Sequence, residues 1–280
     1  MRTHGLKVLG LALVAALGLM ALTASSAFAV EALKLGDQFY SNNEAAGKFL
    51  INTGTASPAG LTTQAIAGKQ IGAGRLLIPS KAAELVCKAG EINSATIANE
   101  YENFLTKTMA AGGHGSGTIV FKECTVEQIK EDELTGVKLT NCVPNFATTP
   151  GTITANVLLL AKKHEGVTYL LFVPKVTSEA TAKANEALTS TFTNIKFNEE
   201  TCSLPPALSV TGSFVTKAPT ADAVKPILKT KSWELVAGVV KPSAEQVLLG
   251  AKLKFGANEA FLDKEDEAEL VGKAVPWGAM

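Results

Sequence analysis

The clearest hydrophobic pattern lies near the middle of the chain. Ile153, Ala155, Val157, Leu158, Leu159 and Leu160 form one apolar run, Lys162-Lys163-His164-Glu165-Gly166 a polar break, and Val167, Tyr169, Leu170, Leu171, Phe172 and Val173 a second run. Two apolar runs joined by a short polar segment that ends in glycine predict a long β-hairpin over Thr152–Val173, since glycine supplies the positive φ such a turn often needs. Because both arms are apolar, this is expected to be a core hairpin, with function on the loops around it.

Shorter runs of the same kind flank it. Lys48–Asn52, Thr63–Ala67, Gly74–Ile78 and Ala83–Cys87 precede it, separated by Gly, Pro, Ser or Asn, and Thr118–Lys122 places Ile119 and Phe121 on one face. Val137–Asn141 and Thr191–Phe197 add two more runs. Ala207–Val215 sets Leu208, Val210 and Phe214 against Ser209, Thr211 and Ser213, the alternation of one half-buried antiparallel strand. Lys252–Phe255 repeats the alternation, and Gly256-Ala257-Asn258 predicts a turn into Glu259–Leu262. Many short strands with frequent turn signals predict an all-β chain, a mostly antiparallel β-sandwich or Greek-key barrel with one or two short helices.

Three stretches depart from the strand pattern. The spacing of Ile97, Tyr101, Phe104, Leu105 and Met109 puts them on one face of a helix, Ser178–Leu188 is rich in helix formers behind a Ser cap, and Ala221–Leu228 allows a helical turn or two. Gly112–Gly117 reads as a flexible turn entering a strand, the charged Glu127–Glu133 as an exposed loop, and Leu204-Pro205-Pro206 as irregular.

At the amino terminus Arg2 and Lys7 precede an apolar run from Val8 to Leu22, and Ala27-Phe28-Ala29 supplies a cleavage pattern. These are the parts of a secretory signal peptide over residues 1–29. The run is shorter than the ~20 residues that usually span a bilayer, and nothing later reaches that length. The remaining chain divides into a polar, poorly ordered lead-in over 30–47 and one β-rich domain over 48–280, expected to be secreted or associated with the cell envelope.

Composition narrows the chemistry. The chain carries 26 basic and 26 acidic side chains, without a Lys/Arg cluster, so it has no basic footprint for nucleic acid. Four cysteines, Cys87, Cys124, Cys142 and Cys202, in an exported chain predict two disulfides. Of the three possible pairings, Cys124 with Cys142 closes a local loop and is expected, leaving Cys87 with Cys202. No CxxC or CxxH pair indicates zinc.

Candidate active groups are few. His114 lies among glycines with Ser116 beside it, which invites a nucleophile and base pair, yet the segment fits neither a phosphate loop nor a G-x-S-x-G elbow. His164 sits at the hairpin turn and is expected to be solvated. Asp263, Glu265, Glu267 and Glu269 would share one strand face, making them a weak calcium candidate, without the loop glycine and spacing of an EF-hand. Trp233 is expected in the core rather than as a stacking platform. No cofactor is called for.

Several elements together resemble a large group of uncharacterised exported bacterial proteins common in soil actinobacteria. They are Gly74-Arg75-Leu76-Leu77-Ile78-Pro79 before Cys87, Gly113-His114-Gly115-Ser116 before Phe121 and Cys124, and His164-Glu165-Gly166-Val167-Thr168-Tyr169-Leu170-Leu171-Phe172. Cys202-Ser203-Leu204-Pro205, Val210-Thr211-Gly212-Ser213, Glu269-Leu270-Val271-Gly272 and Trp277-Gly278 complete the set. The resemblance implies no activity and no site residue. The expectation is a secreted or envelope-associated, non-catalytic structural or binding protein, its partner a cell-envelope or extracellular component. The alternatives are a secreted hydrolase using carboxylates or Ser116 with His114, and a binder of small apolar ligands or lipids.

Overall fold

The computed structural model describes residues 47–52, 59–60, 63–102, 109–130, 133–139, 142–145, 147–187, 189–197, 202 and 204–280. The leader, the lead-in through residue 46, and Phe104 and Leu105 lie outside them. The strands are β1 (Phe49–Ile51), β2 (Ala59–Gly60), β3 (Gln64–Ile78), β4 (Ala83–Glu102), β5 (Met109–Lys130), β6 (Glu133–Lys138), β7 (Ile153–His164) and β8 (Val167–Pro174). Helix α1 (Glu179–Glu186) leads to β9 (Thr191–Lys196), β10 (Ala207–Gly212), β11 (Phe214–Lys217), β12 (Ile227–Lys231), β13 (Trp233–Val236) and β14 (Val239–Pro242). Helix α2 (Ala244–Leu248), β15 (Leu253–Phe255), β16 (Asn258–Leu270) and β17 (Trp277–Ala279) complete the chain.

Twelve strands form one sheet in the order β11-β8-β7-β5-β4-β3-β16-β15-β10-β9, with β6 beside β5 and β12 beside β16. The pairings are antiparallel, as expected of an all-β chain with few helices. The sheet curls until its β11 edge meets β12, where the Thr216 hydroxyl donates to the Lys229 carbonyl. The result is closer to a barrel than to two stacked sheets. A separate three-stranded sheet, β17-β1-β2, puts Trp277 and Phe49 into the core, their ring centroids 6.5 Å apart. Asn99 pins β1 there, its side chain accepting from the Phe49 amide and donating to the Phe49 carbonyl.

Four of the short runs preceding the central hairpin prove to be parts of long strands: Thr63–Ala67 and Gly74–Ile78 belong to β3, Ala83–Cys87 to β4 and Thr118–Lys122 to β5, whereas Lys48–Asn52 holds only the short β1. β3, β4 and β5 are 15, 20 and 22 residues long. At about 3.3 Å per residue, strands of this length enclose a core only if they bend, and bulges bend them. The β3–β4 register shifts between Ile66 and Gly68 and between Lys69 and Gly74, and Ser94 and Glu123 take positive φ of 49° and 53°. Polar and glycine residues that read as breaks are therefore bends within continuous strands.

Four expectations are corrected. Ile97 and Tyr101 are not helical; they pair with Gly115 and Ala110 across β4 and β5. Gly112–Gly117 is not a turn but the middle of β5, where the wall packs too closely for a side chain. A Cβ at Gly115 would lie 2.8 Å from the Ile97 Cγ2, one at Gly113 would lie 2.9 Å from the Ala161 Cβ, and one at Gly117 would collide with Ala95. The charged Glu127–Lys130 and Glu133 are strand rather than loop, since β5 runs to Lys130 and pairs with β6, while residues 131 and 132 lie outside the described residues. Ala221–Leu228 also lacks a helix: irregular chain leads into β12, whose Ile227 and Leu228 pair with β16.

The central hairpin forms as expected, though its turn is tighter. Lys162, Lys163 and His164 remain in β7, paired with Tyr169, Thr168 and Val167, and only Glu165 and Gly166 turn, with φ of 47° and 80°. Both faces are buried. Ile153, Ala155, Val157, Leu170 and Phe172 face the main core, while Leu160, Leu171 and Val173 pack outside under Val215, Leu249 and Ala251. Helix α1 begins as predicted, with a capping box between Ser178 and Thr181. The Ala207–Val215 run splits in two, because Gly212 at φ 94° redirects the chain from β15 and β9 to β8. Trp233 is buried, as expected, against Leu77 and Phe261.

The disulfides are Cys87–Cys124 and Cys142–Cys202, not Cys124–Cys142 and Cys87–Cys202. Cys87 and Cys124 are direct cross-strand partners on β4 and β5, a register that only the full strand lengths reveal. Cys142 is carried past β6 to the segment where the Asn145 amide donates to the Lys196 carbonyl, on the strand that leads to Cys202.

Candidate functional site

The residues singled out from the sequence do not converge. His114 and Ser116 lie two apart on β5, on the face opposite the inward Gly113, Gly115 and Gly117. Two residues along a strand span about 7 Å, beyond hydrogen-bond reach between short side chains. His114 sits across from Ala98 and Leu160, half-buried. Burial lowers its imidazole pKa, opposed by a backbone hydrogen bond at Ala98, so the ring is neutral at pH 7. His164 stands at the end of β7, four residues beyond Leu160, with Glu165 at 3.9 Å.

The acidic row occupies one outward face of β16, as its alternation predicts, and cations flank it on both neighbouring strands. Glu269 pairs with Lys225 at 2.6 Å, Glu265 with Lys229 at 3.0 Å and Glu267 with Lys69 at 3.6 Å. Asp263 is in register with Arg75 and Lys231. Carboxylates spaced by about 7 Å along a strand cannot close on one calcium ion, which takes oxygens at ~2.4 Å. Among the described residues no group of three or more His, Cys, Asp or Glu is placed to hold a metal.

Further along the same outer wall, Arg75 makes a bidentate pair with Glu84, Nε to Oε2 at 2.7 Å and Nη2 to Oε1 at 2.8 Å. The Glu84 bond is the main cause that raises the Arg75 pKa, which holds the guanidinium in its charged form. With Glu84 almost fully buried, it is a structural clasp between β3 and β4.

The interior is the more distinctive feature. Two apolar cavities of about 70 Å³ and 50 Å³ lie inside the curled sheet. Leu76, Leu85, Cys87, Phe121, Ile153 and Leu262 line the first, and Ile66, Ile97, Gly115, Leu159, Leu170 and Trp277 the second. Ile119 and Val157 line both, so the two adjoin. Pockets for drug-sized ligands run to roughly 300–1,000 Å³, so this interior suits a small apolar group.

Charge enters this interior at one level of β16. The alternation that turns Asp263, Glu265, Glu267 and Glu269 outward turns Lys264 and Asp266 inward, beside Leu262 and Ala268. Lys264 Nζ lies 2.7 Å from Asp266 Oδ2, and their side chains are 2% and 7% exposed. The ammonium also sits 5.0 Å from the Phe121 ring centroid, and no directional hydrogen bond satisfies it. Gln70 faces Asp266 across the β3–β16 pairing and donates to the Gly72 and Cys87 carbonyls at 2.8 Å and 2.9 Å. Its Oε1 is buried without a hydrogen-bond partner. Gly74 and Gly90 make room for it, since a Cβ at either would come within 2.9 Å of that oxygen. A polar waist of Gln70, Lys264 and Asp266 thus falls between the levels of the two apolar chambers. Sequence reasoning passed over it, although strict alternation from Leu262 to Leu270 carried the signal.

Fold and site together define an all-β, disulfide-bonded protein with an apolar interior interrupted by one buried ion pair. No family model, no curated protein and no solved structure matches the chain. No helix among the described residues is long and apolar enough to cross a membrane.

Proposed function

We propose that the chain is a non-catalytic binding or structural protein, exported by its leader to an oxidising extracytoplasmic space as part of the actinobacterial-type group it resembles. The observation that supports this reading is the dispersal of its reactive side chains. His114 and Ser116 sit apart on the outer face of β5, His164 stands at a hairpin end, and the β16 carboxylates face cations. Two disulfides fit an oxidising compartment. The test is a broad hydrolase panel on the protein without its leader. No turnover is expected, and reproducible activity lost in His114→Ala would overturn the reading in favour of a hydrolase.

A second reading, a carrier of a small apolar molecule, is favoured by the apolar lining of the larger chamber. Native mass spectrometry of protein purified without detergent would show a retained small apolar mass. Uniformly ligand-free protein that also fails to take up benzene would count against it.

A further inference from the structure

We propose that the polar waist is the head-group site of the interior, and that its ligand is a small neutral alcohol or phenol. The hydroxyl is held between Gln70 and Lys264 and the apolar body lies in the larger chamber, an assignment that rests on the carrier reading. Both polar groups border that chamber. Gly74 and Phe121 line it, a Cβ on Gly74 would lie 2.9 Å from Gln70 Oε1, and the Phe121 ring centroid is 5.0 Å from Lys264 Nζ. Gln70 is the register partner of Asp266, which shares the inward row of β16 with Lys264. Facing residues of a sheet stand about 5 Å apart and diagonal ones about 7 Å, so side chains of this length bring their ends to one small shared group.

What those ends lack selects the ligand. Among the described residues, Gln70 Oε1 and Lys264 Nζ are buried without a hydrogen-bond partner. The Gln70 amide nitrogen donates to the Gly72 and Cys87 carbonyls, which fixes the other end of the amide as an acceptor in need of a donor. The Lys264 ammonium has three N–H groups, and Asp266 at 2.7 Å leaves the others to be met. A hydroxyl donates to the first and accepts from the second. A carboxylate would set its oxygens against Gln70 Oε1 and Asp266, an amine would meet Lys264 as a second cation, a carbonyl or ether would leave Gln70 unmet, and a hydrocarbon satisfies neither. An apolar cavity of about 150 Å³ holds benzene, so two adjoining chambers of about 70 Å³ and 50 Å³ limit the body to one ring or a short chain.

The test is calorimetric titration of the leaderless protein with phenol, benzene and benzoate, which share a ring and differ in head group. Phenol is expected to bind at least about tenfold more tightly than benzene, through hydrogen bonds that include a charged donor, and more tightly than benzoate. In Lys264→Met/Asp266→Leu, phenol should lose at least about tenfold while benzene binds as before. Thermal melts establish that the variant folds; if it does not, the three wild-type affinities decide alone. Benzene bound as tightly as phenol would leave the waist to a buried water and overturn the assignment, while the carrier reading stands. Tightest binding of benzoate would assign an anionic ligand and overturn it equally, as would a phenol advantage that survives in the variant. If no compound binds, both the assignment and the carrier reading fall.

Discussion

Removing one partner of the Lys264–Asp266 pair should be far more damaging than removing both. The two groups lie 2.7 Å apart with 2% and 7% side-chain exposure, and the ammonium also faces the Phe121 ring. Asp266→Leu keeps the volume close to that of the carboxylate but leaves the ammonium uncompensated among apolar side chains. Breaking a buried pair in this way costs about 3–5 kcal/mol. For a domain of this size that is roughly 10 °C in melting temperature. Lys264→Met leaves the carboxylate stranded and should fall in the same range. The double variant Lys264→Met/Asp266→Leu removes both desolvation penalties and fills the space with apolar atoms, so it should be within about 1 kcal/mol of wild type or more stable. Urea unfolding of all four proteins, analysed as a double-mutant cycle, gives the coupling directly. If Asp266→Leu costs less than about 1 kcal/mol, or the double variant loses the sum of the two single changes, the pair is solvated and the account of the interior is wrong.

Two further outcomes are expected. Peptide mapping under oxidising conditions should recover Cys87 linked to Cys124 and Cys142 linked to Cys202, and Cys142→Ser/Cys202→Ser should lose about 4 kcal/mol by the loop-length model, given a separation of 60 residues. A Cys124–Cys142 peptide would contradict the β4–β5 register. Burial pulls the Lys162 pKa from 10.5 to about 8, so above pH 8 the folded state releases a proton that the unfolded state still holds. Stability relative to Lys162→Met should therefore rise from pH 8 towards 10.5, and a pH-independent difference in melting temperature would refute it.

The elements legible in the sequence were those whose local pattern decides their structure. The apolar arms of the β7–β8 hairpin, the Ser178 cap and the alternation of β16 each specify an element within a few residues. Elements decided by distant partners were misread. Ile97, Tyr101 and Met109 stand at helical spacing, but pairing of β4 with β5 overrides it at these positions. The alternation of Ala207–Val215 continues through Gly212, so the glycine alone marks where the strand changes partners. The cysteine pairing failed for the same reason, because loop length says nothing about which residues face each other across bent strands. At the candidate site, attention to the conspicuous carboxylates obscured the two charges between them that turn inward.

The placement of β16 has a consequence for the order of synthesis. Leu77 pairs with Phe261 and Ile66 with Leu270, so one edge of β3 finds its partner only near the end of the chain. A growing polypeptide can zip β3 to β4, β4 to β5 and β5 to β7 as each emerges, yet the open edge of β3 must wait with its amides and carbonyls unpaired. Closure of the sheet therefore waits for β16, and a chain interrupted before residue 258 should stay an open sheet prone to pairing with its neighbours.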